Sequence, residues 1–229
     1  MPILDVADLA KSFVLHNRGG VRLPVMRGAS LTVEAGECVG LVGASGAGKS
    51  TLMRMIYGNY GSDGGRILVD GIDVATADPR TVLRLRREVM GYVSQFLRVV
   101  PRVSAEEIVA ELAIAEGRPA EDALAEARAL LARLNLPERL WGLPPATFSG
   151  GEQQRVNVAR GFITGHRLLL VDEPTASLDA TNREVVMELI EEKKRAGVAI
   201  LGIFHDEPVR ARVCDRLVDV TGFAPAVAA

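Results

Sequence analysis

The stretch Gly43-Ala44-Ser45-Gly46-Ala47-Gly48-Lys49-Ser50 follows a short apolar run and opens a segment of helical character. Its spacing suits a triphosphate. Glycines let the backbone turn, so that successive N–H groups and the positive end of the next helix converge on negative charge. Lys49 is placed to reach the β and γ phosphates. The Ser50 hydroxyl suits magnesium, and Thr51 suits a nearer phosphate. This pattern predicts a site for a triphosphate with Mg2+.

A second cluster supports the same chemistry. Leu168-Leu169-Leu170-Val171-Asp172-Glu173 sets two carboxylates at the end of an apolar strand, where open parallel sheets build ligand sites. Asp172 is expected to hold magnesium, and Glu173 to take a proton from the attacking water. Phe148-Ser149-Gly150-Gly151-Glu152 starts another helix with N–H donors and a hydroxyl suited to phosphate. On its own this is a helix cap. Beside the first loop it implies a site facing a nucleotide held by another subunit.

These motifs need a scaffold. Residues 3–9 and 30–33 alternate and predict strands of an antiparallel layer, on either side of a loop around 17–22. A strand at 38–42 feeds the phosphate loop, a helix at 49–57 follows, and Asp70-Gly71 predicts a hairpin within 66–74. Another strand is expected at 89–93. Ser104 and Glu107 form a capping box for a helix, with a further helix over 120–134. A helix at 151–163, a buried strand at 168–171, a helix carrying Val185, Val186, Leu189 and Ile190, and a strand at 198–204 complete a largely parallel sheet. The expectation is one α/β domain over 1–223: a core with its antiparallel layer at 1–94 and 165–223, an inserted helical subdomain at about 95–164, and a tail at 224–229.

With 229 residues, 48% apolar and 24% charged, the chain can bury one large core. Its formal charge of -2 gives no global field for nucleic acid. Cys38 and Cys214 lack metal-ligand spacing and read as free buried thiols in a reducing cytoplasm. No apolar run reaches the roughly 18 residues of a membrane span, so membrane attachment is expected only through a partner.

In order, the phosphate loop, Gln95, the Ser-Gly-Gly segment, the acidic strand, Ser177-Leu178-Asp179 and His205 resemble the ATP-binding-cassette (ABC) ATPases, P-loop NTPases, over nearly the whole chain. The resemblance implies an ATPase working as a head-to-tail dimer with an identical or related chain. It implies that Phe13 stacks on adenine, Gln95 links magnesium and water to a partner surface, Asp179 communicates across the dimer, and His205 contacts the γ phosphate. The signature departs from Leu-Ser-Gly-Gly-Gln in having Phe148 first and Glu152 last. Four segments resemble the PhnL group, cassette ATPases of the bacterial carbon-phosphorus lyase pathway for phosphonate catabolism. They are Phe13-Val14-Leu15-His16 with 20–25, Val93 through Val99, Leu136-Pro137-Glu138-Arg139-Leu140-Trp141, and Gly202 through Glu207. That resemblance implies a soluble lyase assembly as partner, contacted through 95–102. The alternative is an ABC transporter subunit whose same loop receives a membrane permease.

Overall fold

The apolar runs of the sequence become adjacent strands of one parallel sheet, and their downstream ends are where the chemistry-bearing residues collect. The computed structural model describes residues 1–15, 19–97 and 101–225. In chain order the elements are β1 (Leu4–Leu15), β2 (Val21–Val33), β3 (Cys38–Val42), α1 (Lys49–Ile56), β4 (Gly64–Val69), β5 (Ile72–Asp73), α2 (Pro79–Glu88) and β6 (Met90–Val93). The helices α3 (Ala105–Ala115), α4 (Ala120–Arg133) and α5 (Gly150–Phe162) follow. The chain then forms β7 (Leu168–Asp172), α6 (Ala180–Arg195), β8 (Ala199–Ile203), α7 (Glu207–Val213) and β9 (Arg216–Asp219).

The main sheet has the order β6-β7-β8-β3-β9, and every pairing in it is parallel. Its two faces feed two cores. Leu168 and Leu170 of β7 join Val39, Leu41, Leu201 and Ile203 in a core shared with α1 and the antiparallel layer. Leu169 and Val171 point the other way, into a core with α3, α4, α5 and α6. Two-residue periodicity with both faces covered explains why these strands are apolar throughout.

The antiparallel layer has the order β2-β1-β4-β5. Its first hairpin is longer than alternation predicts, because register shifts between Val6 and Ser12 interrupt the pattern while pairing continues to Leu15 and Val21. Val21 and Arg22, expected in the loop, lie in β2; Asn17, also expected there, is outside the described residues. Asp70 and Gly71 both take positive φ, 49° and 80°, as a two-residue hairpin turn between β4 and β5 requires.

Three elements have no counterpart in the sequence-based expectation: α2, α7 and β9. The Asp78 side chain caps α2 by accepting from the N–H groups of Arg80 and Thr81, with Pro79 as first helical residue. Only Leu85 of that helix is buried, and its four arginines give it a polar composition. The expected capping box forms, with Ser104 and Glu107 opening α3, and Ser149 with Glu152 makes a second at the start of α5. Among the described residues, no helix is long and apolar enough to cross a membrane.

Candidate active site

Four neighbouring strands deliver the site. β3 runs into the phosphate loop, β6 into Gln95, β7 into Asp172 and Glu173, and β8 towards His205. A cavity of about 290 Å³ above the loop brings Lys49, Ser50, Thr51, Gln95, Glu173 and His205 to one wall.

The loop's shape depends on glycine. Gly46 and Gly48 have φ of 80° and 98°, in the left-handed region that side chains resist. Gly48 is the N-cap of α1 and offers no side chain to the helix, so the first N–H groups there have no side-chain cap. This is the arrangement that receives phosphate. Lys49 lies folded over its own loop, donating from Nζ to Gly43 O at 2.8 Å and Ala44 O at 3.0 Å.

Asp172 is 3% exposed. Burial, and then the charge of Glu173, push its carboxyl above the usual range, while hydrogen bonds from Ser50 and Tyr92 pull it back. Its Oδ1 is buried with no hydrogen-bond partner among the described residues. A buried carboxylate oxygen beside a serine hydroxyl fits a hard divalent cation, so Asp172 and Ser50 suit Mg2+. Such an ion would also offset the burial of the Asp172 carboxylate.

Glu173 departs from the strand. In an extended chain its side chain would face opposite to that of Asp172, but a φ of 54° turns the backbone and brings both carboxylates to one site. Such a conformation in a residue other than glycine costs about 1–3 kcal/mol and persists only where its surroundings hold it. Here the Glu173 N–H donates to Ile203 O at 3.0 Å, and Gln154 Nε2 donates to the carbonyls of Glu173 and Pro174 at 3.2 and 3.1 Å. The carboxylate then has two neighbours: Gln95 Nε2 donates to Oε2 at 3.3 Å, and His205 Nε2 lies 2.8 Å from Oε1.

Three contributors escape a reading of motifs. Gln154 and Asn157 are buried polar residues on α5; Asn157 Nδ2 donates to Ser94 O at 2.5 Å, tying that helix to the segment before Gln95. Their spacing on one helix face is the signal that was available. Tyr92 donates its hydroxyl to Asp172 Oδ2 at 3.4 Å, and desolvation pushes its own pKa up to about 12. We expect Tyr92→Phe to raise the half-saturating divalent-cation concentration about fivefold, the equivalent of roughly 1 kcal/mol for one long hydrogen bond. Mn2+ binding followed by electron paramagnetic resonance checks this; an unchanged midpoint would release Tyr92 from the role.

Other expected site residues lie apart from this wall. Phe13 packs edge-on against Tyr60, with ring centroids 5.4 Å apart, and Lys11 Nζ sits 5.1 Å from its centre. Ser149 Oγ donates to Glu152 Oε2 at 2.7 Å, and the Ser149 N–H donates to the same oxygen at 2.8 Å. Glu152 in place of glutamine thus completes a helix cap, and the Ser149 hydroxyl holds its carboxyl below the usual range. Gly150 has open space where a Cβ would stand, whereas a Cβ on Gly151 would lie 2.9 Å from Ser177 O. Asp179 caps α6 by accepting from Asn182 N–H at 2.8 Å. His16, Arg98 and Val99, parts of the segments compared above, lie outside the described residues.

A glycine loop at a helix start, an acidic pair at the end of β7, one strand removed from the loop's own strand β3, and a parallel sheet that joins them define a P-loop nucleoside triphosphatase. Residues 26–176 match the family model described as "ABC transporter". The chain belongs to this family and is an ATPase of its class. Among its relatives, the macrolide export ATP-binding/permease protein MacB of Brucella melitensis biotype 1 is 40% identical over 96% of this chain and 33% of its own length. The pyoverdine export ATP-binding/permease protein PvdT of Pseudomonas putida is 42% identical over 92% of this chain and 32% of its own. The chain therefore spans about a third of each of these relatives. Among solved structures, the dimeric, ADP- and phosphate-bound state of the ATP-binding cassette MJ0796 has a TM-score of 0.86 at 28% identity, covering 94% of this chain and 93% of that one.

Proposed function

We propose that this chain is the ATP-binding part of an exporter, hydrolysing MgATP in a head-to-tail dimer and passing the motion to a membrane permease. The observation that carries this reading is identity of about 40% across nearly the whole chain to about a third of MacB and of PvdT, whose names join ATP binding to a permease. A surface feature supports it. Phe96, 75% exposed, stands beside a groove of about 490 Å³ walled by Tyr60, Tyr92, Gln95 and Leu97. A partner seated there touches the segment that ends at Gln95, and so bears on Glu173.

In this reading the loop residues 43–51 hold the phosphates, with Lys49 on the β and γ groups. Asp172 and Ser50, with Gln95 nearby, hold Mg2+, which when bound neutralises charge on the phosphate oxygens. Glu173 takes the proton of the attacking water, and His205, set against Glu173, contacts the γ phosphate. Phe13 meets the adenine. Ser149, Gly150, Gly151 and Glu152 of the second subunit close over the nucleotide, with Asp179 at the junction. Residues 95–164 then act as a subdomain that moves against the core.

The lyase-associated reading gives way here. The relatives named above are exporters, and one segment that suggested the phosphonate group has a structural role: Leu136 and Leu140 are buried, and Trp141 Nε1 donates to Leu136 O at 2.9 Å. This segment braces the helical block. Affinity capture of a Glu173→Gln variant in ATP, from soluble and detergent-solubilised fractions, tests the choice. We expect a membrane permease; recovery of soluble lyase subunits without a permease would restore the lyase assignment.

A further inference from the structure

The two thiols stand outside the site, and the sequence treats them as unrelated. In the fold they are neighbours. Cys38 opens β3 and is buried, while Cys214 ends α7 and is half-buried. Asp215 N–H donates to Cys38 O at 2.9 Å, and Cys38 N–H donates to Asp215 Oδ2 at 2.8 Å, so the backbone is clamped in both directions. Cys38 and Gly40 present the same face of β3. Cys214 Sγ lies only 2.8 Å from where a Cβ on Gly40 would stand, so glycine is what admits the sulfur. The two thiols pack in one core, Cys38 fully covered and Cys214 partly open to solvent.

Their surroundings make them unequal. Cys214 beside it, with burial, pushes the Cys38 thiol far up, so it keeps its proton. The neighbouring Cys38 draws the Cys214 thiol down against its partial burial, and the charge of Lys194 helps. Lys194 is held there by Val213 O at 3.0 Å and Asp215 Oδ1 at 2.8 Å.

We propose that Cys214 and Cys38 form an oxidisable dithiol whose reactant is a small hydroperoxide, with Cys214 attacking and Cys38 resolving. The Cys214 thiolate attacks one peroxide oxygen; an S–O bond forms, the O–O bond breaks, and the departing oxygen leaves as water with the proton that Cys214 gave up. Cys38 then attacks the sulfenic sulfur. The S–S bond forms, the S–O bond breaks, and a second water carries away the Cys38 proton. Two thiols lose two electrons, and hydrogen peroxide becomes two waters. The product ties the base of β3, whose far end enters the phosphate loop, to the helix that follows His205.

The test treats the full chain with hydrogen peroxide, quenches with catalase, alkylates under denaturing conditions and maps peptides by mass spectrometry. We expect both thiols to disappear together into one intramolecular Cys38–Cys214 link that dithiothreitol reverses. With Cys38→Ala, dimedone is expected to trap a sulfenic acid on Cys214; with Cys214→Ala, Cys38 should stay unmodified over the same exposure. The wild-type mapping requires no variant to fold. Two alkylatable thiols after exposure, a link between chains in place of the internal one, or first modification at Cys38 would each overturn the proposal.

Discussion

Glu173→Gln is expected to lower ATP turnover by about 10²–10⁴-fold, the range that a positioned general base supplies. The substitution keeps the shape of the side chain. It also keeps an acceptor oxygen for one of the two neighbours, Gln95 at 3.3 Å or His205 at 2.8 Å. The strained turn is held through backbone atoms by Ile203 and Gln154, so the variant should place the amide where the carboxylate stood. Nucleotide affinity should hold or increase, because a negative charge facing the triphosphate has gone. The expected product is an ATP-loaded dimer that persists, seen as doubled mass in sedimentation with ATP and as monomer without it. Single-turnover hydrolysis is the deciding measurement: a rate equal to the parent's would remove Glu173 from proton transfer and move attention to His205.

What the sequence revealed follows the range of the interactions involved. The phosphate loop is legible because its function lies in consecutive backbone N–H groups, and eight contiguous residues specify it. Asp172 and Glu173 are legible for a similar reason, as a polar end to an apolar strand. The turn at Glu173 is not, since its left-handed φ depends on Ile203 of a different strand and Gln154 of a different helix. Tyr92 lies in no motif. Its hydroxyl reaches the acid only because β6 and β7 pair with Tyr92 beside Leu170, two residues before Asp172. Cys38 and Cys214 meet through the parallel pairing of β3 with β9, which no local pattern announces. Among the elements, α2 was hidden by four arginines and a single buried leucine, so that its polar composition masks an apolar side that is present. The long β1–β2 hairpin was cut short for the opposite reason: its alternation is real but slips at bulges.

The second large effect belongs to Lys49, and it should fall on binding rather than on chemistry. An ammonium has three protons, and two of them go to Gly43 O and Ala44 O, which folds the side chain back over the loop at the edge of the cavity that Lys49 lines. Lys49→Ala removes a charge-assisted contact worth about 1.5–3 kcal/mol, which predicts ATP binding weaker by roughly 10–150-fold. Loss of the clasp on the loop is a competing explanation. Two comparisons separate them. If charge on the outer phosphates is the cause, the loss should be greatest for ATP, smaller for ADP and absent for AMP, all measured by titration calorimetry. If loosening of the loop is the cause, every nucleotide that meets the loop should weaken together. Lys49→Arg sharpens the contrast, because it restores charge while its planar fork cannot repeat the two carbonyl contacts of a tetrahedral ammonium. Partial recovery of ATP affinity in that variant is the expected result, and equal loss in both variants would assign the lysine to the loop's shape rather than to the phosphates.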